Sequence, residues 1–118
     1  MSEQSEQTAV IRWARLFEVH YPKLRWLHAS LNGAHMSPRH AARMKAAGMT
    51  KGIPDLFLPV RASGYNGLYI EMKIGKNKPT PEQEEFMVFA RDQNFKAVIA
   101  RGFDEAINIL QSYVEGEK

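Results

Sequence analysis

Three side chains in this sequence have the types and spacing to do chemistry together: Asp55, Glu71 and Lys73. Asp55 follows Gly52-Ile53-Pro54 and opens the apolar run LFLPV. Glu71 and Lys73 stand near the end of a second run, GLYIEMK, as Glu-x-Lys. Hydrolysing a phosphodiester requires a phosphorane-like transition state to be stabilised and a water to be activated, and a divalent cation does both. Hard cations such as Mg²⁺ take oxygen ligands, commonly one or two carboxylates with water and substrate phosphate. Asp55 and Glu71 are ligands of that type, and the main-chain carbonyl of Met72 is a candidate third. Lys73 can hold the attacking water or offset charge on the phosphate. Two carboxylates side by side repel, so their pairing makes sense only with a cation or Lys73 between them. Each residue also has an ordinary reading: Asp55 as a turn residue at a strand start, Glu71 and Lys73 as an exposed strand face. The Pro-Asp one strand upstream, in a basic stretch of chain, tips the balance towards a site.

The elements must bring these groups together. Side chains in a strand alternate faces. Tyr69, Glu71 and Lys73 therefore share one face of the second run, and Leu68, Ile70, Met72 and Ile74 cover a core with the other. The two runs read as a hairpin closed by Ser63-Gly64-Tyr65-Asn66-Gly67. With Asp55 opposite or diagonal to Glu71 the carboxylates meet, whereas a slip of one residue sends them to opposite faces. The sequence leaves that register open.

Upstream, Val10, Trp13, Ala14 and Phe17 recur at helical spacing from about Gln7 to Val19. Glu6 falls in line with this stripe, so it points towards the core from the first turn, where the helix dipole favours a carboxylate. Pro22 ends that helix. Leu24 to Ser30 reads as a short strand with Leu24, Trp26 and His28 on one face, and Asn32-Gly33 as a turn. Ser37-Pro38 opens a basic helix over 38–47 that stops at Gly48. Downstream, Thr80-Pro81-Glu82-Gln83 is a helix start with a capping box. That helix is predicted to end at Asn94. A buried strand from Ala97 to Ala100, a break at Gly102 and a last helix capped by Asp104 complete the order. Helix, strand, basic helix, strand, strand, helix, strand, helix predicts an α/β sandwich with a small mixed sheet.

At 118 residues, 1–118 is read as one domain. The absence of cysteine excludes disulfides and thiolate zinc sites and fits a reducing cytoplasm. The polar start MSEQSEQ has no signal-peptide core, and no apolar run is long enough to span a bilayer, so no membrane partner is expected. Net charge is only +3, yet from His20 to Arg61 there are seven Lys or Arg against the single acid Asp55. Such a local field suits a polyanion such as nucleic acid, with a solvated basic face as the plainer explanation.

Taken together, Gly52-Ile53-Pro54-Asp55, Ile70-Glu71-Met72-Lys73 and Thr80-Pro81-Glu82-Gln83 resemble the VRR-NUC branch of the PD-(D/E)XK nucleases. Ile11-Arg12-Trp13 and Asn32-Gly33 are similar to the small stand-alone phage and bacterial members. The resemblance spans Glu6 to Val114, and its specificity lies in the combined order and spacing. It implies a restriction-endonuclease-like core with a basic helical insertion, like that of Holliday junction resolvases. It implies Mg²⁺ or Mn²⁺ dependence and cleavage of DNA, with four-way junctions cut by a homodimer in the cytoplasm of a bacterial cell. Carried over by position, Asp55 and Glu71 are metal ligands and Lys73 is the catalytic lysine. Gln83 is the glutamine after the Glu-x-Lys strand, and Glu6 is the helical acid, with Glu3 and Glu18 as competitors. Arg39, Arg43, Lys45, Lys51, Lys76 and Lys78 are candidate phosphate contacts, which position DNA without reading bases. The rival function is a nucleic-acid-binding module on this fold that does not cut.

Overall fold

The computed structural model describes residues 2–30 and 36–116. The predicted turn at Asn32-Gly33 lies outside them. α1 (Glu3–Phe17) starts two residues into the chain because Ser2 and Ser5 cap it reciprocally, each hydroxyl accepting the other's N–H at 3.0 Å. Its buried face is Glu6, Val10 and Ala14. Trp13 is only partly buried, and Phe17 is exposed and stacks on Trp13.

The expected strand from Leu24 to Ser30 is mostly a 3-10 turn, Pro22–Trp26, and the strand β1 is only His28–Ala29. Pro22 presets a helical φ at the first position. Leu24 and Leu27, three residues apart, are both fully buried, a turn spacing rather than a strand one, while Trp26 is exposed beneath the Arg25 guanidinium. Arg15 of α1 pins this segment through Arg25 O and Leu27 O, both at 3.0 Å.

α2 (Pro38–Ala46) forms where Ser37-Pro38 and the glycine signal place it, with the Ser37 hydroxyl accepting from His40 N–H and Gly48 at φ +114°. It buries none of its residues, as a basic helix inserted between two strands should. β2 is short, Leu56–Leu58, because Pro59 has no N–H to continue the ladder. The chain then runs through Val60 and Ala62, both buried in the core, before β3 (Leu68–Lys73). Tyr113 fixes this excursion by donating its hydroxyl to Val60 O at 2.6 Å.

The sheet has four strands in the order β1-β2-β3-β4, with β4 at Lys96–Arg101. The first two pairings are antiparallel and β3–β4 is parallel, so the link between them must cross over. α3 (Pro81–Asp92) supplies that link, and Asn94 ends its exit turn at φ +67°. On one face of the sheet, Leu56, Leu58, Leu68, Ile70 and Met72 pack with α1 and with α4 (Phe103–Glu115). On the other face, Met87 and Ala90 of α3 close over Ala97, Tyr69 and Phe95.

Asp104 does not cap α4. The cap position is Gly102, which offers no side chain, and the Phe103 N–H is taken by Glu6 Oε1 at 3.0 Å. A Cβ on Gly102 would lie 3.2 Å from that same oxygen, and its φ of +96° suits glycine. The last described residues are tied down: Tyr21 donates to Glu115 at 2.7 Å and Ser63 N–H to Gly116 O at 3.2 Å.

Candidate active site

Register decides whether the acids meet, and it brings them together. Leu56 pairs with Ile70 and Phe57 with Tyr69. Continuing one residue sets Asp55 opposite Glu71, on the face that Tyr69 shares. Asp55 is anchored further by its own carboxylate: Oδ2 accepts the Met72 N–H at 2.7 Å. Met72 thus follows one acid in the strand and binds the other, its side chain in the core and its amide on Asp55.

The Asp55 and Glu71 carboxyls lie close enough to perturb each other directly. Burial is the main cause that raises both above their ordinary range. Glu71 is pushed up to about 8 from an ordinary 4.5, with the Asp55 charge adding to burial and Lys73 opposing it. For Asp55 the Met72 amide works against burial. The two acids titrate as a pair, and the shift favours a protonated Glu71 at higher pH than an ordinary carboxyl.

Two more groups converge on Glu71 Oε2. Lys73 Nζ lies 3.7 Å away, both side chains being almost wholly buried. Gln83 Nε2 donates to it at 3.1 Å. The other end of Gln83, Oε1, accepts the Thr80 N–H at 2.8 Å, and its own N–H goes to Thr80 Oγ1. One side chain thus closes the capping box of α3 and holds a site carboxylate.

The two acids in the first turns of α1 have different surroundings. Glu6 is buried, but its carboxylate is spent on the start of α4. Glu3, one turn earlier, is the α1 acid whose charge raises both Asp55 and Glu71. Glu3 also accepts from Asn77 Nδ2 at 3.3 Å. Asn77 belongs to the loop after Lys73, and Arg101 clamps that loop by donating to Gly75 O at 3.0 Å and Asn77 O at 2.7 Å. Neither Asn77 nor Arg101 stood out in the sequence. Arg101 faces Lys73 only through the parallel β3–β4 register, which no local signal encodes.

A backbone contact completes the frame. Gly52, at φ +94°, rests on the first turn of α3, and a Cβ there would stand 2.6 Å from Glu82 O. The segment leading into Asp55 is therefore seated on the turn that carries Gln83.

The basic candidates are all exposed. Arg39, Arg43 and Lys45 lie on α2, and Lys76 and Lys78 follow Lys73 on the clamped loop. Lys51 forms an ion pair with Glu82 at 3.9 Å that is open to solvent on both sides and contributes little.

Among the described residues no three His, Cys, Asp or Glu side chains gather as a metal cluster. Asp55 and Glu71 stand together as a pair, and their donor chemistry suits a small hard dication. Both offer oxygen, and a cation between them would relieve their mutual repulsion.

A family model, the VRR-NUC domain, matches residues 1–104. A solved structure described as a VRR_NUC domain protein superposes with a TM-score of 0.78 at 29% identity, covering 100% of this chain and 92% of that one. A comparison with curated proteins returned no match.

Proposed function

The chain belongs to the VRR-NUC domain family, and from that premise we propose that it is a metal-dependent, structure-specific DNA endonuclease. The family implies a nuclease-type function, and the mixed sheet flanked by helices is the restriction-endonuclease-like fold. The observation that carries the finer reading is the buried Asp55–Glu71 pair, with Lys73 and Gln83 both on Glu71 Oε2.

Asp55 and Glu71 would hold Mg²⁺ or Mn²⁺, which supplies positive charge at the scissile phosphate and an activated water. Gln83 fixes the rotamer of Glu71, and the Met72 amide fixes that of Asp55, so the two acids are oriented before anything binds. Lys73 offsets the negative charge that grows on the phosphate as the water attacks. Glu3 takes the place of Glu6 as the helical acid of the site. Arg39, Arg43, Lys45, Lys76 and Lys78 supply phosphate contacts on either side. Lys51 would join them by exchanging its exposed Glu82 partner for a phosphate.

One site per chain cuts one strand, so symmetric cleavage of a four-way junction calls for a homodimer. The test is cleavage of a panel of four-way junctions, flaps, nicked and intact duplexes in Mg²⁺, Mn²⁺ and EDTA, with sedimentation of the active species. The expected result is metal-dependent cutting of branched DNA by a dimer. DNA binding without metal-stimulated cleavage would mean a non-cleaving module instead.

A further inference from the structure

The sheet face that carries the acids carries a second row of charge. Glu71 pairs with Ile99 and Lys73 with Arg101 across the parallel β3–β4 ladder. Ala100 is buried in the core with α1 and α4, and Ile99 packs towards α3. Alternation therefore puts Arg101 on the face of Ile99, Glu71 and Lys73. Asp55 and Glu71 form one row, and Lys73 and Arg101 the next, on strands about 4.8 Å apart.

The Arg101 guanidinium is held in place but not neutralised. Its Nη1 donates to Gly75 O at 3.0 Å and to Asn77 O at 2.7 Å, and both acceptors are neutral carbonyls. Glu105 accepts the main-chain N–H of Arg101 at 3.0 Å, and among the described residues the guanidinium itself makes no ion pair. The two carbonyls use both hydrogens of Nη1. Nε and Nη2 form the edge that grips an oxyanion with two parallel bonds, and among the described residues they have no partner. The side chain is exposed. Arg91 makes the contrast: it spends those same two atoms on Ala97 O, at 3.1 and 2.8 Å. Arg91 is fully committed to the fold, and Arg101 is committed by one nitrogen of three.

We propose that Arg101 binds a phosphate of the DNA strand being cut, the one next to the scissile phosphate on the β4 side. The proposal rests on the nuclease reading and adds a substrate contact to it. In that reading Asp55, Glu71 and Lys73 take the scissile phosphate. Arg101 stands one strand further from the acids, so the phosphate it meets is the next along. A planar guanidinium with one free edge matches two oxygens of a phosphate. The carbonyl bonds fix its plane beforehand, which reduces the ordering that binding must supply. Lys76 stands between the two residues whose carbonyls hold Nη1, so the same loop offers the strand a further cation.

The probe is a four-way junction carrying a neutral methylphosphonate at one phosphate at a time around the cut, bound by the full chain in EDTA so that no cleavage occurs. Neutralising the phosphate next to the cut should weaken wild-type binding about tenfold. Arg101→Gln should weaken binding of the unmodified junction about as much, and the methylphosphonate at that position should then cost nothing further. The variant should also lower the slope of log K against log salt by about 0.9. Losses that simply add mean that Arg101 only holds the loop, and they overturn the proposal. A wild-type chain indifferent to every methylphosphonate next to the cut overturns it too, whether or not Arg101→Gln folds. The cut is mapped separately on the unmodified junction in Mg²⁺. Coupling at one phosphate in EDTA, with no cutting in Mg²⁺, keeps the Arg101 contact and removes the nuclease reading.

Discussion

A carboxyl whose pKa is pushed up to about 8 becomes intelligible once the neighbours of Glu71 are counted: burial, the Asp55 charge and the more distant Glu3 charge, against the single amine of Lys73. The sign of its effect on stability follows. The folded chain holds the proton more tightly than the unfolded one, whose Glu71 titrates near 4.5. This contribution is complete below pH 4.5 and is lost as pH rises towards 8. Melts in EDTA should therefore show the wild-type chain losing stability across that window, on the order of a few kcal/mol. Glu71→Gln, uncharged throughout, should flatten the curve. Mg²⁺ should restore stability at pH 8 and do little at pH 5, where protons compete for the same oxygens. The same substitution, and Lys73→Ala, should lower single-turnover cleavage by about 10²-fold or more. The two acids of α1 separate cleanly. Glu6→Ala removes the cap on Phe103 and should cost about 1 kcal/mol in melting free energy. Glu3→Gln should instead shift the pH–rate profile to lower pH by taking a negative charge away from Glu71, and an unchanged profile would remove Glu3 from the site.

At the scale of elements, local chemistry was legible and long-range partnership was not. Thr80-Pro81 with Gln83, Ser37-Pro38 with Gly48, and the alternation of β3 each encode their structure within a few residues, and each formed as read. The segment from Leu24 to Ser30 departs from its strand reading because its apolar spacing suits strand and turn alike. What separates them is the burial of Leu24 and Leu27 beneath α1, a contact the segment does not itself specify. The start of α4 differs for a similar reason: its cap comes from Glu6, 97 positions away. The candidate site shows the same divide. Asp55, Glu71 and Lys73 could be named from type and order and Gln83 from the family resemblance, but not Arg101, which depends on the β3–β4 register. Gly52 is where element packing reaches the chemistry. Gly52→Ala must strain a backbone at φ +94° and push the Glu82 carbonyl aside. It should cost roughly 2–3 kcal/mol in a denaturant titration. Because α3 must shift to admit the methyl, Gln83 should lose its hold on Glu71, and cleavage per folded molecule should fall as well.

For the whole molecule the proposed function raises the question of how a chain with a net charge of only +3 would gather a polyanion. The answer lies in distribution. The acids of α3 and α4 are remote in sequence from the basic stretch, and Arg39, Arg43 and Lys45 ride on a helix that buries none of its own residues. A helix so weakly tied to the core can follow the backbone of a bent or branched substrate. Lys76 and Lys78 sit differently, on a loop that Arg101 and Glu3 hold in place beside Lys73. One group is loosely held and the other is fixed, so the two should contribute alike to affinity but not to cutting. Removing one cation–phosphate pair lowers the dependence of log K on log salt by about 0.9 for duplex DNA. Replacing Arg39, Arg43 and Lys45 with alanine should reduce that slope by up to about 3 units, and replacing Lys76 and Lys78 by up to about 2. Binding titrations from low to moderate salt measure both. At saturating protein the α2 variant should cut at nearly the wild-type rate, whereas the loop variant should cut more slowly, because only its lysines are held next to the site. Equal saturated rates would mean that the clamp on the loop serves the fold alone.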